Sequence, residues 1–235
     1  MDSPVPQKYL TGALLSAFFP EVCLHCGENI ADAGLFCAAC SAQGIKKFTA
    51  PQMPAQHARY PQAHAFVYEG VAKSLLKAAK FSDRRRALQR WIDLAAPQLL
   101  PLIQADTFVL ALPSRRKFLK RLLKAIVPKR QLLLHAYEFK REKFLLQRAN
   151  KSLGEAARYR RIHDTLQWKG VKLPASGRYV ICDDVFTTGA TLNHAGYLAE
   201  KNLRVQPEQI ALWALLARPR EFTFEYPANN HPYGA

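Results

Sequence analysis

Carboxylates are scarce in this chain of 235 residues. Asp and Glu number 18 against 34 Lys and Arg, a formal net charge of +16. That deficit suits polyanionic partners such as nucleic acid, phosphorylated ligands or an anionic membrane face, although like charge also serves solubility alone. Long apolar runs are missing too: nothing approaches the ~20 residues of a membrane span. Leu10–Phe19 has the look of a signal-peptide core, but only Lys8 stands before it, with Asp2, and no small-x-small cleavage site precedes Pro20. It reads as an amphipathic helix packed on the rest of the protein, and a cytoplasmic location is expected. Internal repeats and heptads are absent. Cysteine is confined to five positions, four of them between 23 and 40. With 49 % hydrophobic residues the chain can bury a sizeable core, enough for one α/β domain plus a small module.

The crowded cysteines form Cys23-x-x-Cys26 and Cys37-x-x-Cys40, ten residues apart. Each pair makes a tight knuckle whose sulfurs face one point, and Gly27 suits the turn of the first. Two such knuckles build a four-cysteine Zn²⁺ site with every ligand supplied by protein, hence structural. Two disulfides are the weaker reading for a reducing compartment. His25, inside the first knuckle, reads as a bystander.

The stretch that organises the larger part is Tyr179-Val180-Ile181-Cys182-Asp183-Asp184-Val185-Phe186-Thr187-Thr188-Gly189-Ala190-Thr191. It predicts a strand that stops at the two carboxylates, a hydroxyl-rich loop, and a helix with Leu192, Ala195, Gly196 and Ala199 on one face and Asn202 as its stop. Backbone N–H groups at a helix N-terminus, beside the Thr187, Thr188 and Thr191 hydroxyls, can cradle a phosphate monoester. Asp183 and Asp184 accept but do not donate, so they suit vicinal hydroxyls. A ribose 5-phosphate presents both features. The competing reading is a polar turn that caps a helix through Thr188 or Thr191.

Around this stretch, residues 43–61 have linker composition. Ala65–Glu69 reads as a first strand and Val71–Lys80 as a basic helix. A further helix opens at Ser82-Asp83 and buries Leu88, Trp91, Ile92, Ala95 and Leu99. Thr107–Leu112 is an apolar strand ending at Pro113-Ser114-Arg115-Arg116, the kind of strand end at which open parallel sheets bind ligands. Helices are predicted over Lys117–Val127 and Gln131–Leu146, and a last strand over Gln209–Leu216. The basic segment 147–168 reads equally as a loop over the site or as a solvated helix face. Phe222-x-Phe224 in the tail has no assigned purpose. The domain boundaries drawn are 1–46 for the helix and cysteine module, 47–62 for a linker and 63–235 for the α/β domain.

The strand, double Asp and Thr-Thr-Gly-x-Thr loop resemble the signature of type I phosphoribosyltransferases, which bind phosphoribosyl pyrophosphate (PRPP). Together with the cysteine knuckles, the Lys-Phe helix and the Pro-x-Arg strand end, the chain from Leu10 to Arg218 resembles the ComF family of competence-associated proteins. The resemblance implies an α/β fold with a parallel sheet flanked by helices, preceded by a zinc ribbon. It implies PRPP held by Asp183, Asp184 and residues Thr187, Thr188, Gly189, Ala190 and Thr191. Ser114, Arg115, Arg116 and Lys80 then lie toward the pyrophosphate, Mg²⁺ accompanies the ligand, and one carboxylate of the pair moves a proton. The Arg-Gly-Phe-Asn-Gln motif usual in that family is replaced by Val127-Pro128-Lys129-Arg130-Gln131, and Asn150 stands where a Gln is usual, while Arg158 matches. No acceptor-reading segment is identified. Three functions follow: a phosphoribosyltransferase of unnamed acceptor, an accessory factor for DNA uptake bound to single-stranded DNA or a helicase, and a PRPP or nucleotide sensor without turnover.

Overall fold

The computed structural model describes residues 21–30, 34–48, 59–82, 84–114, 116–140 and 162–218. The helix expected at Leu10–Phe19, Arg115, most of the basic segment (147–161, including Arg158) and the tail beyond Arg218 lie outside the described residues.

The centre is a five-stranded, all-parallel sheet. Its strands are β1 (Gln62–Val67), β2 (Thr107–Ala111), β3 (Leu132–Leu133), β6 (Arg178–Phe186) and β7 (Ile210–Ala217), in spatial order β1-β7-β6-β2-β3. The central strand β6, from Tyr179 to Cys182, and its neighbour β7 throughout are apolar, as strands covered on both faces require. Side chains alternate between the faces. Val109, Ala111, Val180 and Cys182 pack with helices α2 (Gly70–Phe81), α3 (Arg85–Leu99) and α4 (Phe118–Ile126). Leu110, Leu112, Tyr179 and Ile181 pack with α5 (Ala190–Leu203) and a small antiparallel pair, β4 (Tyr137–Phe139) with β5 (Leu166–Trp168). Trp91 of α3 is fully buried against Phe66 of β1 and is core, as expected.

Three expectations need correction. β6 does not stop at the carboxylates: pairing with β7 carries on through Val185–Leu216 and Phe186–Ala217, so the ladder rather than local polarity sets its end. The chain leaves a single 3₁₀ turn at Gln131, and Leu132 to Lys140 is not helical. Gln131 Nε2 donates to the Gln104 and Ala105 carbonyls, and Leu132 and Leu133 add an edge to β2. Tyr137 Oη then donates to the Ala195 carbonyl of α5 at 2.9 Å. A short apolar run fits either state, and sheet pairing decides it. Helix α5 runs past Asn202, whose Nδ2 donates back to the Leu198 carbonyl, and ends at Arg204 in the left-handed region.

The cysteine module carries the short helix α1 (Ala38–Gln43) and docks on α2 and β1. Val71 of α2 packs with Cys23 and Cys40, Lys46 pairs with Glu69 at 2.9 Å, and Lys47 bridges antiparallel to Phe66. The edge of β1 is thereby covered, with Phe48 N donating to the Ala65 carbonyl and Val67 N to the Lys46 carbonyl.

Candidate functional site

Connection order creates the site. From β2 the chain crosses outward to β3, whereas from β6 it crosses the other way to β7. β2 and β6 are hydrogen-bonded neighbours, so their C-terminal ends flank a switch point, the crevice in which open α/β sheets take ligands. Both loops singled out by the sequence lie there. The β2 chain leads past Leu112, whose N–H donates to the Cys182 carbonyl, into Pro113, Ser114 and Arg116. The β6 chain leads through Thr187 and Thr188 to Gly189.

Gly189 is the N-cap of α5 at φ 76°, left-handed backbone that a residue with a Cβ adopts only with strain. A Cβ there would also stand 2.6 Å from Phe186 Cζ and 2.9 Å from Asn193 Nδ2. The protein's own packing therefore demands glycine, in addition to any approach by an anion. The Ala190 N–H points at Thr188 Oγ1 (3.4 Å), and the first turn of α5 has no acidic side chain to oppose an anion at its positive end.

The two carboxylates are treated differently. Strand alternation sends Asp184 toward α2, where Lys80 Nζ sits 2.7 Å from its Oδ2 with both side chains mostly buried. Asp183 lies at the level of Ala214, among the residues facing α5, and its Oδ1 accepts the Asp184 N–H at 2.8 Å. Burial, with the adjacent Asp184 charge, pushes the Asp183 carboxyl up to about 7, against the opposing pull of the Asp184 N–H and Lys80. A carboxyl of that pKa can take a proton near neutral pH. Lys80, Asp183 and Asp184 are thus brought together, beside Thr187, Thr188, Gly189, Ala190 and Thr191. Ser114 and Arg116 lie on the neighbouring loop, with the Arg116 N–H donating to Ser114 Oγ at 3.3 Å. Cys182 is fully buried in β6 below them, its thiol pushed upward by that burial and by Asp183.

Three residues at this end carried no sequence signal strong enough to single them out. His64 of β1 lies 4.4 Å, centroid to centroid, from the Phe186 ring, and its buried Nδ1 has no hydrogen-bond partner among the described residues. Burial pushes its pKa down to about 4, so it is neutral at physiological pH. Asn193 of α5 accepts from Gln62 of β1 at 3.4 Å. Phe81, next to Lys80, is 61 % exposed beneath the Arg116 guanidinium. The clue in the sequence was position: His64 lies two residues before the buried Phe66, and Phe81 directly follows the helix read as Val71–Lys80, which the structure extends by that one residue.

The four sulfurs of Cys23, Cys26, Cys37 and Cys40 lie within 4.8 Å of one another, with Cys26 and Cys37 3.7 Å apart. Four thiolates about 2.3 Å from a central ion form a tetrahedron with edges near 3.8 Å, so the cluster fits a tetrahedral thiolate-bound metal. The knuckle turn is set by the Gly27 N–H, which donates to the Cys23 carbonyl at 3.0 Å with Gly27 at φ 83°. Burial and the other three sulfurs push the Cys40 thiol far up, the repulsion a cation would relieve. All four cysteines are free thiols. His25 is no ligand in this geometry: its Nδ1 meets Ser74 Oγ of α2 at 3.1 Å, so it helps seat the module.

No family model matches this chain, and no curated protein matches it. Among solved structures, an adenine phosphoribosyltransferase is similar at 19 % identity and a TM-score of 0.36, over 58 % of this chain and 72 % of that one. No helix among the described residues is long and apolar enough to cross a membrane.

Proposed function

We propose that the β6–α5 loop binds a 5-phosphoribosyl ligand, PRPP in first place, as in type I phosphoribosyltransferases. The observation that carries this reading is the loop itself. Two carboxylates, then hydroxyls, then a left-handed glycine opening a helix stand at the switch point of a parallel sheet. In this reading the Thr187–Thr191 backbone and hydroxyls hold the 5′-phosphate, and Asp183 and Asp184 accept from the ribose hydroxyls. Ser114, Arg116 and Lys80 are assigned to the pyrophosphate, and so, by the resemblance alone, is Arg115. On the same resemblance, Mg²⁺ would accompany the diphosphate and neutralise part of its charge.

In turnover, a nitrogen nucleophile would form a bond to ribose C1 as the C1–O bond to pyrophosphate breaks. The electron pair leaves with pyrophosphate, and the nucleophile's proton passes to the Asp183 carboxylate, whose raised pKa suits it as the base. The cysteine module holds a structural Zn²⁺. On the ComF resemblance, the cellular role assigned is competence, with DNA uptake as the process served and the acceptor unnamed.

A second reading, a nucleic-acid-bound accessory factor, draws on the surplus of 16 positive charges and on exposed basic residues such as Lys117, Lys124, Lys129 and Arg130. Titration with PRPP and Mg²⁺, with single-stranded DNA in parallel, separates the two. Saturable 1:1 PRPP binding is expected. DNA binding without any PRPP binding would move the function to the basic surface.

A further inference from the structure

Phe81 is out of place for a core residue. It is the most exposed of the large hydrophobic side chains among the described residues, at 61 %, whereas its helix neighbours Ala78 and Ala79 are buried. Its position is fixed from two sides. Through the chain it follows Lys80, whose ammonium is anchored on Asp184 at 2.7 Å. Through space the Arg116 guanidinium lies over its ring, 5.0 Å from the centroid, and Arg116 sits on the β2–α4 loop that flanks the same crevice. An aromatic ring backed by a guanidinium and otherwise open to solvent is a surface on which a planar ring can stack. The exposed cations Arg84, Arg85 and Lys117 stand close in sequence to the pair and add no sequence preference to it.

We propose that Phe81 and Arg116 form a stacking clamp for a nucleobase at the mouth of the phosphoribosyl site, a deepening that rests on the reading given above. The base is either that of a mononucleotide, whose ribose C1 carries it while its 5′-phosphate occupies the loop, or the terminal base of a single strand. In both cases the clamp reads a π-face rather than a hydrogen-bonding edge and tolerates any base.

The test is calorimetry on the full chain with ribose 5-phosphate, AMP, UMP, and a thymidine oligonucleotide with and without an abasic terminal nucleotide. AMP and UMP should each bind on the order of tenfold tighter than ribose 5-phosphate, the contribution of one base stacked on an aromatic side chain. Phe81→Ala should erase that gain and leave ribose 5-phosphate affinity unchanged, whereas Phe81→Trp should retain it. Because Phe81 is exposed, both variants should melt with the wild type. A gain for the terminal base of the oligonucleotide as well assigns the clamp to strand ends, and a gain for mononucleotides alone assigns it to nucleotides. If ribose 5-phosphate binds but AMP and UMP bind no better, or if the gain survives Phe81→Ala, the clamp is overturned and the phosphate loop stands. If ribose 5-phosphate does not bind at all, the site reading is overturned and the clamp with it.

Discussion

The cysteine module and the β6–α5 loop are both short turns with a glycine in left-handed backbone, Gly27 in one and Gly189 in the other, yet different forces hold them. Among the described residues the module has little core of its own: Cys23 and Cys40 are buried with Val71 of α2, and a few half-buried neighbours complete the cluster. Its shape depends on what joins four sulfurs. The β6–α5 loop is strung between a central strand and a packed helix, and Phe186 and Asn193 fill the space beside its glycine. A turn tied through its sulfurs can be lost with the inner strands β6 and β7 still paired, at the expense only of the covered edge of β1. A scaffold-dependent turn cannot be altered without strain at the site.

Removing the metal should give the largest effect and the most local one. Structural zinc sites in small modules are worth roughly 10–16 kcal/mol of binding free energy coupled to folding. Chelation, or Cys40→Ser, should abolish hydrogen-exchange protection in residues 21–30 and 34–48 while amides of β6 and β7 stay protected. Metal analysis should give one zinc per chain. Loss of protection across the whole chain would erase the distinction between the two regions.

Gly189→Val comes next. Left-handed backbone at a branched residue and overpacking against Phe186 each cost about 1–2 kcal/mol, for a loss near 3 kcal/mol by denaturant melting. Gly27→Ala meets no atom within 4 Å of the added Cβ, so only the backbone penalty of about 1 kcal/mol should appear. Equal losses at the two glycines would contradict the account of how the loops are held.

Lys80→Met leaves Asp184 mostly buried without its cation and should cost on the order of 2 kcal/mol, with Asp184→Asn in the same background recovering much of it. No recovery in the double variant would mean that the pair does not couple α2 to β6.

A pH slope is the one effect that depends on conditions. The Asp183 carboxyl lies near 7 in the folded chain and near 3.9 unfolded, so between these values the folded state holds the extra proton. Stability from this group is therefore present below about pH 4 and is lost as pH rises through about 7. Asp183→Asn should remove that slope and raise the melting temperature by a few degrees at pH 8 relative to wild type, with no gain at pH 4. A variant curve parallel to wild type would refute the raised pKa.

Both regions were legible in the sequence because their chemistry is local. Paired Cys-x-x-Cys and Asp-Asp-Val-Phe-Thr-Thr-Gly-Ala-Thr state their side chains within a few residues, and the apolar strands and amphipathic helices announce the α/β fold. What the sequence did not show depends on distant partners. The strand character of Val185 and Phe186 comes from Leu216 and Ala217, and the extended Leu132–Leu133 edge comes from β2. His64 meets Phe186 only once β1 and β6 flank β7. Lys80 was singled out for phosphate, and its contact with Asp184 became visible only when α2 packed across the sheet.

Ribose 5-phosphate titrated calorimetrically into wild type and Thr188→Ala, with thermal stability followed alongside, tests the central claim most directly. A phosphoribosyl cradle predicts 1:1 binding to wild type. It also predicts a variant weakened by one to two orders of magnitude, as for loss of a charge-assisted hydrogen bond, with stability lowered by no more than about 1 kcal/mol. Equal affinity in the two proteins, or no binding to wild type, would leave the loop as a helix cap and contradict the account.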